Sequence, residues 1–300
     1  MLKILLTGSN GLLGQKIIYA AANKPAFQLI ATSKGANRTT LKTGYTYLSL
    51  DITDAKAVAE IIDQHKPDCI INTAAMTNVD ACETDKENCH LMNVEAVNFM
   101  LEACKKHNIH FVHLSTDFVF DGKAGPYREE DEPNPLSYYA WSKLESEKRV
   151  AAAGIDYAIL RTIIIYGVVD DKQRSNVVLW TKNSLEQKKQ INVITDQFRT
   201  PTLAEDLADA CMAAASKRAK GIYHVSGNEQ MSILQAAEMT ADFFGLDKSY
   251  INHVTTAELK QPALRPLVTG FIVEKAMRDL DYKPHSFAEG LEIVRQQLSS

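Results

Sequence analysis

Several things are scarce in this 300-residue chain, and each scarcity removes a class of function. Apolar runs stop well short of the ~20 residues needed to cross a bilayer, so no membrane span and no membrane partner are expected. There is no block of Lys and Arg. The 33 basic residues against 37 acidic ones leave a net charge of −4, so nothing electrostatic favours nucleic acid as a partner. Cysteine is sparse and odd in number: Cys69, Cys82, Cys89, Cys104 and Cys211 form no Cys-x-x-Cys spacing. Such a set argues against a disulfide framework or a zinc site and suits free thiols in a reducing compartment, so cytoplasm is the expected location. The opening Met1–Gly8 stretch reaches glycine too soon for a signal peptide. What is present is the ordinary mix of a globular chain, 45% hydrophobic and 23% charged, long enough for one large or two modest domains.

Apolar runs alternate with longer amphipathic stretches through the first two-thirds. Strands are expected at Lys3–Leu6, Gln28–Thr32, Thr46–Leu50, Asp68–Asn72, His110–Leu114 and Tyr157–Ile165. Helices are expected at Gly14–Ala22, Asp54–His65, Val94–His107 and Tyr139–Ala152. Strands apolar on both faces, taking turns with helices, predict an α/β fold: a Rossmann-type, doubly wound parallel sheet. After Tyr166-Gly167 the rhythm loosens, with helices at Ser175–Gln190, Leu203–Ser216, Ile233–Phe244 and Ser286–Gln297, a short strand at Gly221–Val225, and a loop-rich tract Thr255–Thr269. The expected division is a dinucleotide-binding domain, residues 1–166 plus about 195–220, and a smaller C-terminal substrate-binding lobe, residues 167–194 and 221–300.

The first strand runs into Thr7-Gly8-Ser9-Asn10-Gly11-Leu12-Leu13-Gly14. Three glycines between a strand and a helix suit a dinucleotide: one permits the tight turn, one lets backbone approach a pyrophosphate, one lets the helix pack closely. Asn10 and Leu12 fall inside the same turn. Ser33, Lys34 and Arg38 follow the second strand, where no carboxylate stands to accept ribose hydroxyls, which favours NADPH over NADH. Asp51-Ile52 ends the third strand, where Asp51 either meets adenine or serves as a helix cap.

Thr116 closes a strand at the expected carboxyl edge of the sheet, and Tyr139 and Lys143 follow at i and i+4 on one helix face. A nearby ammonium would lower the phenol's pKa so that it could exchange a proton, and the Thr116 hydroxyl would hold the substrate oxygen.

With these residues in place, the chain resembles the extended short-chain dehydrogenase/reductases and, among them, the dTDP-4-dehydrorhamnose reductase family. The resemblance rests on Thr7–Gly14, Asn72–Asp80, Ser115–Gly122, Tyr139–Lys143, Leu160–Thr162 and Asp196–Asp206. It implies a Thr116–Tyr139–Lys143 catalytic triad and a cofactor lined by Gly8, Gly11, Gly14, Asp51, Ala74, Ala75 and Lys143. It also implies a nucleotide sugar touched by Thr77, Val79, Thr116, Asp117 and Tyr139. The implied reaction reduces a C4 ketone, with Tyr139 protonating the oxygen. Two departures stand out: Phe118 replaces the family's tyrosine, and Ile163-Ile164-Ile165 follows Leu-Arg-Thr where the family tends to place tryptophan, which puts Ile164 against the sugar. No metal is carried over. A homodimer is the oligomer allowed for, and two alternatives stay open: an epimerase or dehydratase on the same scaffold, and a non-catalytic cofactor-binding subunit.

Other signals have plainer readings. His110 and His113, three apart on a strand, point to opposite faces and do not share an ion. Cys82 and Cys89 carry no evidence of a redox pair, and Ser142 lies in no nucleophile elbow.

Overall fold

The computed structural model describes residues 1–22, 24–170 and 175–299. Its centre is a seven-stranded sheet built from β1 (Leu2–Thr7), β2 (Phe27–Ser33), β3 (Thr46–Ser49), β4 (Cys69–Asn72), β5 (His110–Thr116), β6 (Tyr157–Thr162) and a last strand, Gly221–His224. All neighbours are parallel, in the order 221–224, β6, β5, β4, β1, β2, β3. The order reverses between β1 and β4, and ligands of such sheets bind at the carboxyl ends of the strands beside that switch.

Alternation along each strand divides the core in two. Ile4, Leu6, Leu29, Ile71, Val112 and Leu160 face α1 (Leu12–Ala21) and the Ala204–Ser216 helix. Leu5, Ile30, Ile70, Phe111 and Ile159 face the other way, against α2 (Ala55–His65), α5 (Ala96–His107) and α6 (Tyr138–Ala152). Burying each such side chain stabilises the fold by about 1.5–3 kcal/mol, which is why both faces of every central strand read as apolar. Between β4 and α5 the chain adds two short helices, α3 (Val79–Thr84) and α4 (Lys86–His90), and a π turn, Leu91–Glu95. These were not expected, because their polar sequence lacks a long amphipathic period.

Two expectations need correction. The long strand Tyr157–Ile165 splits: Ile164 adopts φ +26°, outside the extended region, and Ile165–Tyr166 pairs instead with Thr202–Leu203. A β-branched residue pays a steric penalty at that φ, held here by Thr202, whose hydroxyl donates to the Ile163 carbonyl at 2.6 Å and whose N–H donates to Ile164. Second, Gly221–His224 belongs to the main sheet rather than to a separate lobe, with Tyr223 opposite Leu160 and nearly buried. Of the remaining C-terminal elements, the Glu274–Leu280 helix packs into the first core through Ala276 and Leu280, whereas Val178, Phe287, Leu291 and Val294 gather a separate core with Tyr166. Among the described residues, no helix is long and apolar enough to cross a membrane.

Candidate active site

The glycine turn is packed too tightly for any side chain. Gly8 has φ +71°, and a Cβ there would lie 2.7 Å from the Ala74 nitrogen in the loop after β4. At Gly14 a Cβ would come within 2.4 Å of the Gly8 carbonyl oxygen. Gly11 is the N-cap of α1, with no side-chain cap and no acidic residue in the first turn. The positive end of the helix is therefore left to a ligand, and the cradle fits a dinucleotide pyrophosphate.

Around this turn some expected contacts are spent on structure. The Asn10 side chain donates to the Ala36 carbonyl at 2.9 Å and accepts from the Arg38 N–H at 2.9 Å, so it braces the loop after β2. Lys34 pairs with Asp51 at 2.7 Å. Asp51 also accepts from the Thr53 N–H and hydroxyl, and Lys34 with Thr53 holds its carboxyl below the usual range. The cap of α2 is Asp54, not Asp51. Ser33 ends β2 beside this cluster, its carbonyl accepting from the Tyr47 hydroxyl. The Ile52 side chain is buried in the core.

Thr116, Tyr139 and Lys143 do converge. With Gly11, Leu12, Gly14, Ala75, Thr77, Val79 and Ile164 they line one cleft of about 680 Å³. Ala74 stands just below it, against the Gly8 turn. Ser137 caps α6, and the Tyr138 N–H donates to Glu83 of α3 at 2.8 Å, which fixes where the helix begins. The electrostatics differ from expectation. Burial pushes the Tyr139 phenol up, with only the neighbouring Thr116 hydroxyl pulling it down. Lys143 is itself pushed down to about 8 by burial, against the pull of Glu147 and Cys89. The phenol thus keeps its proton at neutral pH, the form that can donate one.

Asp117 also borders the cleft, but its carboxylate is already engaged. It accepts from the hydroxyls of Thr116 at 3.1 Å and Thr269 at 2.5 Å, and lies 3.6 Å from Arg199 Nε. Burial raises its pKa while Arg199 opposes. Asp117 therefore ties the end of β5 to the C-terminal third. Arg199, 1% exposed, is the residue that sequence reasoning missed. It donates to the carbonyls of Phe198, Pro266 and Leu267 and to Gln197, and stacks 5.6 Å from the Phe118 ring. The quoted Asp196–Asp206 stretch contains it, yet nothing local announces partners 67 and 68 residues away. A second tie joins Arg265 to Asp80 at 2.8 Å.

His110 contacts the Ala219 carbonyl, whereas His113 meets Asn72 and Ser146, so the two rings have separate surroundings. Cys89 accepts from Asn93 and contacts Ser142, and all five cysteines are free and buried.

Comparison with known proteins gives a consistent picture. The family model described as RmlD substrate binding domain matches residues 2–300. Methionine adenosyltransferase 2 subunit beta of Xenopus tropicalis is 33% identical over 84% of this chain and 75% of its own. The crystal structure of a dTDP-4-dehydrorhamnose reductase from Clostridium acetobutylicum superposes with a TM-score of 0.87, at 29% identity over all of both chains. The Bacillus anthracis dTDP-4-dehydrorhamnose reductase in complex with NADP superposes with a TM-score of 0.84, at 25% identity, covering 99% of this chain and 100% of that one.

Proposed function

The chain belongs to the RmlD substrate binding domain family, and from that membership we propose that it is an NADPH-dependent reductase of a nucleotide-linked 4-keto-deoxysugar. The proposed conversion is dTDP-4-dehydro-L-rhamnose to dTDP-L-rhamnose. One observation carries this reading: the Thr116, Tyr139 and Lys143 side chains open into the same cleft as the glycine turn. The Bacillus anthracis reductase solved with NADP supports the cofactor, as does the absence of a carboxylate at the end of β2. The five buried free thiols support a reducing compartment such as the cytoplasm.

When bound, NADPH supplies the hydride that reduces the ketone. Gly8, Gly11 and Gly14 would seat its pyrophosphate, and Lys143 its nicotinamide ribose. Tyr139, neutral at working pH, gives its proton to the developing alkoxide, and the Thr116 hydroxyl, turning from Asp117 to the same oxygen, donates a second hydrogen bond. Lys143 stands one helical turn away to stabilise the phenolate that results.

The name of the adenosyltransferase subunit favours a second reading, a cofactor-binding subunit without turnover of its own. The intact set of Thr116, Tyr139 and Lys143 favours the enzyme, since a binding module has little need for all three. The test is spectrophotometric, following NADPH and NADH with dTDP-4-keto-L-rhamnose. The expected outcome is oxidation of NADPH only when the keto sugar is present, lost about 10²–10⁴-fold in Tyr139→Phe. A Tyr139→Phe protein as fast as wild type removes Tyr139 as the acid. Binding of NADPH with no turnover on any 4-keto sugar leaves the subunit reading standing. Tight retention of dinucleotide without net oxidation points to an epimerase or dehydratase.

A further inference from the structure

Beneath the cleft runs a row of buried polar side chains for which the steps above have no use. Thr7, Asn72 and His113 are register partners on β1, β4 and β5. The Thr7 hydroxyl donates to Asn72 Oδ1 at 2.5 Å, and the Asn72 amide meets His113 Nδ1 at 3.2 Å. On the far side of the ring, His113 Nε2 lies 3.0 Å from Ser146 Oγ and 3.4 Å from Lys143 Nζ. Ser146 donates in turn to the Lys143 carbonyl at 2.7 Å. The adjacent positions on these strands, Ile71 and Val112, are apolar, so a polar row here is costly unless every member has a partner.

We propose that His113 is a positioning residue for Lys143: anchored through Asn72 to the strand that feeds the glycine turn, its imidazole fixes the lysine amine beneath the cleft. The inference rests on the reductase reading in one respect only, that Lys143 serves Tyr139 during turnover. Burial and the adjacent Lys143 hold the ring's pKa well below the usual value, so the ring is neutral and one nitrogen is always an acceptor. With the Asn72 amide donating to Nδ1, the ring proton sits on Nε2 and is given to Ser146. Holding the amine takes that amide turned over: Thr7 then accepts from Nδ2, the ring's Nδ1–H donates to Oδ1, and Nε2 accepts from the ammonium. The orientation of one buried amide therefore sets whether the amine is held by the ring. The groups facing the amine are His113 from β5, Glu147 and Tyr139 along α6, and Cys89 from α4. Glu147 is itself tied to Arg161 through two bonds of 3.0 and 2.7 Å, which leaves the ring as the near, uncharged partner.

The test is a pH titration of lysine Cε resonances by NMR in labelled protein without substrate, with Lys143 assigned through Lys143→Met. In His113→Leu, which keeps bulk but removes both ring nitrogens, the Lys143 midpoint falls by about one pH unit, tenfold in the acid constant. The kcat on the keto sugar falls with it, and NADPH binds more weakly, because the same amine holds the nicotinamide ribose. His113→Gln, whose amide can reach the amine, restores both. Should His113→Leu fail to fold, Asn72→Leu removes the anchor from the other side and gives the same shift. An unmoved Lys143 midpoint in these variants overturns the proposal. So does an equal shift in the Leu and Gln variants, which marks a packing role alone. Because no substrate is needed, a shifted midpoint in a protein inactive on every 4-keto sugar upholds His113 and rejects the reductase. Turnover with an unmoved midpoint does the reverse.

Discussion

On the glycine-turn side of the cleft the backbone does the holding: Gly8 and Gly14 press main chain against main chain, closer than any Cβ allows. On the Asp117 side, long side chains do it, with Arg199 gripping the carbonyls of Pro266 and Leu267 and Arg265 reaching Asp80. The first kind of support is set by residues close in sequence and by strand pairing. The second spans 185 residues between Arg265 and Asp80 and 152 between Thr269 and Asp117. Backbone contact has no freedom to give and tolerates no added atom. Side-chain clamps can be loosened one at a time.

The strongest blow to that contrast is Arg199→Met. It leaves Asp117 without its cation and the Pro266 carbonyl without a donor, while the Phe198 and Leu267 carbonyls keep the N–H groups of Thr269 and Phe198; the expected loss is about 3–5 kcal/mol in a denaturant titration. The KM for the keto sugar rises in that variant while the NADPH Kd stays within about twofold of wild type, since none of its bonds reach the glycine turn. An unchanged denaturation midpoint would show that the clamp holds nothing.

Gly14→Ala attacks the other side. Its methyl meets the Gly8 carbonyl, so a loss of about 1–3 kcal/mol is expected, here with weaker NADPH binding and little change in sugar KM once cofactor saturates. Calorimetry of NADPH binding checks it, and an unaltered affinity would break the distinction.

Lys143 sharpens the comparison through pH. Its folded pKa of about 8 lies below the ordinary 10.5, so between those values the unfolded chain binds more protons than the folded one. Stability from this group therefore increases as pH rises from 8 to 10.5, and below 8 its full cost is present. Lys143→Met should remove that rise and stabilise the protein at pH 7 by about 1–3 kcal/mol, as melting across pH 7–10.5 would reveal. A melting curve in which wild type and variant run parallel would contradict the buried, costly amine.

The smallest effect belongs to Arg265→Ala. Its pair with Asp80 is partly exposed and worth about 0.5–1 kcal/mol. A slight, salt-sensitive drop in stability with a modestly higher sugar KM is expected, and a loss as large as that of Arg199→Met would erase the ranking of the two ties.

Much of the fold was legible because burial on both faces forces a strand to be apolar, as Ile4–Leu6 and Cys69–Ile71 are. The split after Thr162 was not legible: Ile163, Ile164 and Ile165 look like continued strand, and only the hydrogen bonds from Thr202 turn the chain at Ile164. The Tyr139 and Lys143 pair was readable because four residues make one helical turn. The sign of the phenol's shift was not, because it depends on burial that spacing does not encode. Asn10, Asp51 and Asp117 show the same limit, since each polar type suited a ligand and each is occupied by a neighbour supplied from elsewhere in the chain.

Local sequence was enough to determine the parallel sheet, the glycine turn and the one-sided placement of phenol and amine, since these follow from strand alternation, the missing Cβ and helical pitch. Only the tertiary structure decided which polar groups are free to meet a ligand. That outcome depends on partners distant along the chain, such as Arg199 for Asp117 and His113 for Lys143, and on how far packing strips each charge of water.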